Sequence, residues 1–258
     1  MPGHSLAALA AYPELSCTDK KHTVAKIWGV HKEIFCAGKE STFNFLETVL
    51  TEVAEMFPGP YIHIGGDEAP KDRWKKHALD QKRIIDENLK NEHELQSYFI
   101  KRIENILSKL GKRLIGWDEI LEGGLAPDAI VQSWRGMDGG IIAANAKHEV
   151  IMSPTSHAYF DYYQSEDRDK EPLAIGGFLS LEKVYQFEPI PDDIEQEKIK
   201  YILGGQGNVW TEYINTPQKV EYMAIPRMSA MAEVLWLSLI HISEPTRQEA
   251  ISYAVFCL

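Results

Sequence analysis

From Ser41 onward the chain alternates between helical stripes and short apolar runs. Phe45, Leu46, Val49, Leu50, Val53 and Phe57 recur at helical spacing, which predicts a helix capped by Ser41 or Thr42 and stopped at Pro58-Gly59-Pro60. Tyr61-Ile62-His63-Ile64 follows at once as a strand, ending in Gly65-Gly66-Asp67-Glu68-Ala69-Pro70. A second stripe, Leu95, Tyr98, Phe99, Ile103, Ile106, Leu107 and Leu110, predicts a helix from about Glu92 to Leu110 with Gly111 as its C-terminal cap. Four further strands are expected at 113–117, 129–134, 150–153 and 201–210. The segment 139–147 is helix-compatible, and Pro217 to Trp236 is helical in composition despite Pro226.

Strands alternating with helices mean βα units and a parallel sheet. Similar residues close several of these strands: Asp67-Glu68, Trp117-Asp118-Glu119, Trp134 and Trp210-Thr211-Glu212. Chemistry arriving from several consecutive strand ends suits a (β/α)8, or TIM, barrel better than a doubly wound sheet, whose site lies at one switch point. Five strands cannot close eight, so the expected fold class is α/β, a partial TIM barrel. Residues 1–39 are loop-rich, with a short helix-capable stretch at 5–11, and are expected to supply surface rather than core. After Trp236 the pattern stops; residues 237–258 resemble translated sequencing-adapter read-through, which confines the catalytic domain to 1–236.

Composition narrows the function classes. Lys and Arg number 27 against 38 Asp and Glu, a formal charge of -11 over 258 residues, which argues against nucleic acid or an anionic lipid surface as partner. No apolar run is long enough for a transmembrane helix. Cys17 and Cys36 are near enough in sequence to pair, and no CxxC or Cys/His spacing suggests zinc.

The paired acids carry the candidate chemistry. Placed on a strand, Asp67 and Glu68 would project to opposite sides and could not jointly embrace one glycosidic bond, so they need different tasks. One could act on a leaving oxygen while the other held a second group of a substrate that brings its own nucleophile. Alternation places His63 on the face opposite Ile62 and Ile64, as a hydrogen-bonded structural histidine. Taken singly, each tryptophan is more readily a core residue than a site residue, and it is the three together at strand ends that turn the balance toward a sugar-stacking pocket. Asp118 and Glu119 fit a helix N-terminus as well as a site.

His63-x-Gly65-Gly66-Asp67-Glu68 resembles the signature of the family 20 glycoside hydrolases, the β-N-acetylhexosaminidases. Ile115-Gly116-Trp117-Asp118-Glu119, Gln132-Ser133-Trp134-Arg135-Gly136, Tyr159-Phe160-Asp161 and Gly205-Gln206-Gly207-Asn208-Val209-Trp210-Thr211-Glu212 are similar to its later strand-end motifs, in order. The resemblance implies a retaining exo-enzyme that removes terminal N-acetylglucosamine or N-acetylgalactosamine by substrate-assisted catalysis, without cofactor or metal. It assigns Glu68 as general acid and base, Asp67 and Tyr159 to the acetamido group, and Trp117, Trp134 and Trp210 to the pocket walls. Asp161 and Glu212 would bind sugar hydroxyls. Met1-Pro2-Gly3-His4-Ser5 resembles the loop after the third barrel strand, making His4 a supporting residue beside the acids. By that alignment strands four to eight are present and one to three are missing.

Two other classes stand beside this reading. A catalytically inactive carbohydrate-binding remnant would keep the tryptophans without the chemistry. A metal-dependent hydrolase would use His63, Asp67 and Glu68 as ligands, but no matched histidine set accompanies them. The resemblance implies an N-acetylhexosamine-containing glycan as partner and a periplasmic or secreted location.

Overall fold

The computed structural model describes residues 1–18 and 20–237, and the expected foreign tail from 238 on lies outside them. Two compact units divide the chain, Met1–Gln132 and a second beginning at Ser133.

In the first unit the two helical stripes give α2 (Glu40–Met56), whose buried face is Thr42, Phe43, Leu46 and Leu50 while the expected Val49 and Phe57 are exposed, and α4 (Glu92–Lys109), preceded by the short α1 (Leu6–Ala11). Their apolar faces meet: the Phe43 and Phe99 rings lie 5.3 Å apart, and Leu46, Leu50, Leu95, Ile103 and Leu107 are all buried. Asn91 caps α4 through its side-chain oxygen, which accepts from the backbone N–H groups of His93 and Glu94 at 2.9 and 3.1 Å. Gly111 ends it at φ +70°, with Lys112 N–H returning to the Leu107 carbonyl at 2.9 Å. The expected Ser41 or Thr42 cap of α2 is not formed. That helix starts at Glu40 with no side-chain cap, and Glu40 instead receives Arg102 at 2.8 Å, an acid in the first turn balanced by an external cation.

Three strands follow one another in parallel within this unit: β1 (Tyr61–His63), β2 (Arg113–Trp117) and β3 (Ile130–Ser133), whose last residue opens the second unit. Ile62 pairs with Leu114, and Ile115 with Ile130. Between β1 and α4 lies α3 (Ala78–Asp86), which the hydrophobic pattern leaves unmarked because its buried residues are only Asp80 and Ile84. The expectation that residues 1–39 supply mere surface is corrected. Leu9, Ile34, Cys36 and Ala37 have no solvent exposure, and the buried Trp74 indole donates to the Phe35 carbonyl at 2.9 Å. An irregular loop buries its apolar groups without any period to reveal them.

The second unit continues the strand–helix alternation with α5 (Asp138–Asn145), β4 (Val150–Met152), α6 (Thr155–Ala158), α7 (Leu181–Tyr185), β5 (Ile202–Gly205), α8 (Pro217–Ala224) and α9 (Arg227–Trp236). β4 and β5 are parallel, with Met152 opposite Gly205. The segment expected to be one helix is two, since Ile225-Pro226 cannot carry the helical ladder. β5 stops at Gly205 rather than reaching Trp210. Beyond it Ser153 Oγ donates to the Gln206 carbonyl at 2.8 Å, and Asn208 Nδ2 donates to Ser153 Oγ at 2.7 Å. The fold class is α/β with parallel strands and intervening helices, a TIM barrel in part. No helix among the described residues is long and apolar enough to cross a membrane.

Candidate active site

β1 ends at His63, so the two acids are carried by the turn beyond it. Gly65, Gly66 and Glu68 all have positive φ, at +79°, +101° and +43°. This turn is fixed from several sides: Trp117 N–H donates to the Gly65 carbonyl at 2.8 Å, Gln96 Nε2 to the Gly66 carbonyl at 2.7 Å and Lys71 Nζ to the Ala69 carbonyl at 2.7 Å. The premise that Asp67 and Glu68 face opposite ways is therefore corrected. The left-handed turn brings both carboxylates to one nitrogen, His4 Nε2, at 3.1 Å from Asp67 and 3.2 Å from Glu68.

Gly3 makes the approach of His4 possible. A Cβ added there would stand 2.7 Å from the Asp67 carbonyl oxygen and 3.0 Å from that of Glu68, so only a glycine lets residues 2–5 lie against the turn. His4 itself adopts φ +52°.

The electrostatics of the three groups are unequal. Burial alone would raise the pKa of Asp67, but the hydrogen bond and charge of His4 outweigh it and hold the carboxyl below its ordinary value. The bond to Asp67 in turn raises His4. Asp67 has a 19% exposed side chain and Glu68 one 38% exposed, so the second acid is the one open to solvent. These three donor groups lie within 4.8 Å of one another, and the histidine that meets the acids is His4, not His63. His63 stands edge-on to Trp117, with ring centroids 4.8 Å apart, while Ile62 and Ile64 are buried on the other face. Its Nδ1 accepts from Gly65 N–H at 3.1 Å, and desolvation lowers its pKa to about 4, so it is a neutral ring that shapes the turn. Trp117 is buried; Asp118 and Glu119 open a 3-10 helix directly after it and are buried too.

The second unit holds the other candidates. Trp134 and Tyr159 stack, with ring centroids 6.3 Å apart and planes at 29°. Tyr159 and Asn208 form a parallel bridge, sealed by Phe160 N–H to the Asn208 carbonyl at 2.7 Å. Asp161 is buried, and its Oδ1 has no hydrogen-bond partner. Burial, and the nearby charge of Glu212, raise its pKa to about 7. Trp210 and Glu212 lie past β5 in the exposed segment.

Two supports escaped the sequence reading. Gly3 reads in the sequence as a Pro-Gly turn signal, which gives no sign of its packing against Asp67 and Glu68. Arg227, fully buried, donates to the carbonyls of Phe160, Tyr162, Leu179 and Met223 at 2.6 to 3.0 Å and so frames the Tyr159–Asp161 segment. Its signal is a lone cation between Pro226 and the largely apolar run Met228-Ser229-Ala230-Met231.

Acids, a histidine and aromatic rings set beyond the C-terminal ends of parallel strands define a class, the barrel-type α/β enzymes that build their sites on that edge. The chain belongs to glycosyl hydrolase family 20, whose catalytic-domain profile matches residues 1–238. It is 57% identical over 240 residues to a beta-hexosaminidase of Porphyromonas gingivalis, covering 93% of this chain and 31% of that protein. A beta-hexosaminidase of Vibrio furnissii is 32% identical over 235 residues, covering 90% and 38% respectively. The chain thus spans about a third of the length of these relatives. Among solved structures, a chitobiase of Flavobacterium johnsoniae superposes with a TM-score of 0.81 at 31% identity, covering 98% of this chain and 38% of that one. The exo β-N-acetylglucosaminidase of Vibrio harveyi, solved with N-acetylglucosamine, gives 0.82 at 30% identity, covering 98% and 40%.

Proposed function

We propose that the chain carries the acid–base centre of a retaining exo-β-N-acetylhexosaminidase acting on terminal β-linked N-acetylglucosamine or N-acetylgalactosamine. The observation that carries this reading is the unequal pair on His4: one carboxyl shielded and held ionised, its neighbour open to solvent. Glu68 protonates the glycosidic oxygen as the bond to the anomeric carbon breaks, and the substrate's own acetamido oxygen bonds to that carbon, giving an oxazolinium. Asp67 accepts the acetamido N–H and stabilises the positive charge that spreads over that group. Tyr159 donates its hydroxyl to the acetamido oxygen. Water then attacks the anomeric carbon, giving its proton to Glu68 and reopening the oxazolinium, which leaves the configuration retained.

The unpartnered Oδ1 of Asp161 and the neighbouring Glu212 suit two sugar hydroxyls, while Trp117, Trp134 and Trp210 supply ring faces. A periplasmic or secreted setting, where such glycans are met, belongs to the same proposal.

The test uses the full-length protein and a chromogenic N-acetylglucosaminide. Glu68→Gln is expected to lower kcat/KM by about 10²- to 10⁴-fold, the range of a positioned acid–base group. A matched glucoside, with hydroxyl in place of acetamide, should not turn over. Equal cleavage of the two substrates would refute the acetamide as nucleophile, and full activity of Glu68→Gln would refute Glu68 as the proton donor.

A further inference from the structure

Away from the acids, the first unit gathers Cys17, Cys36, His77 and Asp80 so that their donor atoms all lie within 4.8 Å of one another. We propose that these four side chains form a closed zinc site that fastens the N-terminal loop to the start of α3.

The donors come from separate stretches. Cys17 follows the 3-10 turn Pro13–Leu15, Cys36 follows the antiparallel bridge between Ser16 and Phe35, and His77 and Asp80 flank the first turn of α3. Gly38 brings the loop this close: a Cβ there would fall 2.3 to 2.5 Å from the backbone of Leu79 and Asp80. Both cysteines are buried as free thiols, and Asp80 has no solvent exposure at all.

The distances already approximate a coordination polyhedron. With Zn–S of about 2.3 Å and Zn–N and Zn–O of about 2.0–2.2 Å, the edges of a tetrahedron come to about 3.3–3.8 Å, the longest between the two sulfurs. Cys36 Sγ lies 3.3 Å from His77 Nδ1 and 3.4 Å from each Asp80 oxygen. The contact of His77 Nδ1 with Asp80 Oδ2, at 2.7 Å, must open on binding, and Cys17 Sγ, within 4.8 Å of the other three, completes the set. Gly38 N–H donates to Asp80 Oδ1 at 2.6 Å, the outer hydrogen bond that a ligating carboxylate needs, and leaves Oδ2 for the ion.

The donor chemistry selects the ion. Two sulfurs reject calcium and magnesium, and a mixed S2NO set in a closed four-coordinate arrangement is a zinc environment. Zinc would take both thiols as thiolates and release their protons. Such a site is structural: it offers no open position for substrate, and it holds the segment that begins with Gly3 and His4.

The full chain, purified under reducing conditions and freed of loosely held ions, is assayed by elemental mass spectrometry. About one zinc per chain is expected, falling below about a tenth in Cys36→Ser and Asp80→Asn. Should those variants fail to fold, replacing zinc by cobalt(II) in the unaltered protein reports the same thing, through a thiolate charge-transfer band and the intense visible bands of tetrahedral cobalt. A folded, reduced protein that holds no zinc and stays colourless with cobalt(II) would overturn the proposal, as would a Cys17–Cys36 disulfide found by peptide mapping.

Discussion

Gly3 offers the sharpest test of how the acids are held. Replacing it with alanine puts a methyl 2.7 Å from the Asp67 carbonyl oxygen, 3.0 Å from that of Glu68 and 3.3 Å from Ala69 Cα. Carbon contacts relax at about 3.5 Å or more, so the groups must part by roughly 0.5–0.8 Å. All three contacts are backbone and no flexible side-chain tip can yield. Either the acid-bearing turn moves, or residues 2–5 retreat and stretch the 3.1 and 3.2 Å contacts of His4. A displacement near 1 Å at a catalytic group costs about 10²-fold, so a loss of about 10- to 100-fold in kcat/KM is expected, with about 1–3 kcal/mol of overpacking in stability. Gly59→Ala is the control, because nothing lies within 4 Å of its Cβ position. The assay is turnover of a chromogenic N-acetylglucosaminide by the full-length protein, paired with urea melts. If Gly3→Ala matched Gly59→Ala in both, the claim that residues 2–5 fix the acids would be wrong.

Three further outcomes are expected. His4 has a folded pKa above its ordinary 6.5, so its contribution is present below 6.5 and fades as pH rises through the higher folded value. That of Asp67, held below 3.8, is present above 3.8 and fades as pH falls through the lower one. His4→Ala should therefore destabilise by about 1 kcal/mol near pH 5 and by less near pH 9; a gap that widens in alkali would contradict the pairing. Asp161 behaves oppositely: with its pKa raised to about 7, stability is lost as pH climbs from 3.8. Asp161→Asn should be more stable than the parent above pH 7, by up to about 4 kcal/mol, and equal to it in acid, which parallel melts would reveal. Arg227→Met strands four carbonyls and should cost about 3–5 kcal/mol, with Arg227→Lys recovering little because an ammonium cannot fork among them. Full recovery by lysine in a denaturation series would refute that view of the guanidinium.

The helices α2 and α4 and the strand β1 are legible because their burial is periodic, and period is what a sequence displays, whereas β2, buried along nearly its whole length, is legible only as a short apolar run after the Gly111 stop. Asp80 and Ile84 alone turn α3 inward, too few positions to leave a period. Residues 34–37 are buried by an irregular loop, so their apolar side chains looked like connectors. The Cys17, Cys36, His77 and Asp80 cluster was hidden for a related reason. Its donors are assembled by tertiary contact across about sixty residues, and a motif search expects two closely spaced pairs of cysteines or histidines. Family resemblance reached what periodicity could not, matching strand-end motifs whose meaning lies in chemistry rather than burial.

The adjacency of Asp67 and Glu68 yields a more instructive divergence. Strand alternation would separate them by direction, and different tasks would follow from facing different ways. In the structure the chain has already left the strand, and Glu68 sits at a positive φ that no side-chain pattern announces. Both acids then face one imidazole, so direction cannot divide their labour. Solvent and a fixed donor can. A carboxylate that must stay ionised while positive charge develops beside it is best shielded and hydrogen-bonded, as Asp67 is by His4. One that must pass a proton to a leaving oxygen and recover it from water needs an open side, and Glu68, at twice the exposure of Asp67, has it. The proposed assignment of roles thus rests on a different physical ground, and Gly3 and His4, rather than the pleat of β1, are what supply it.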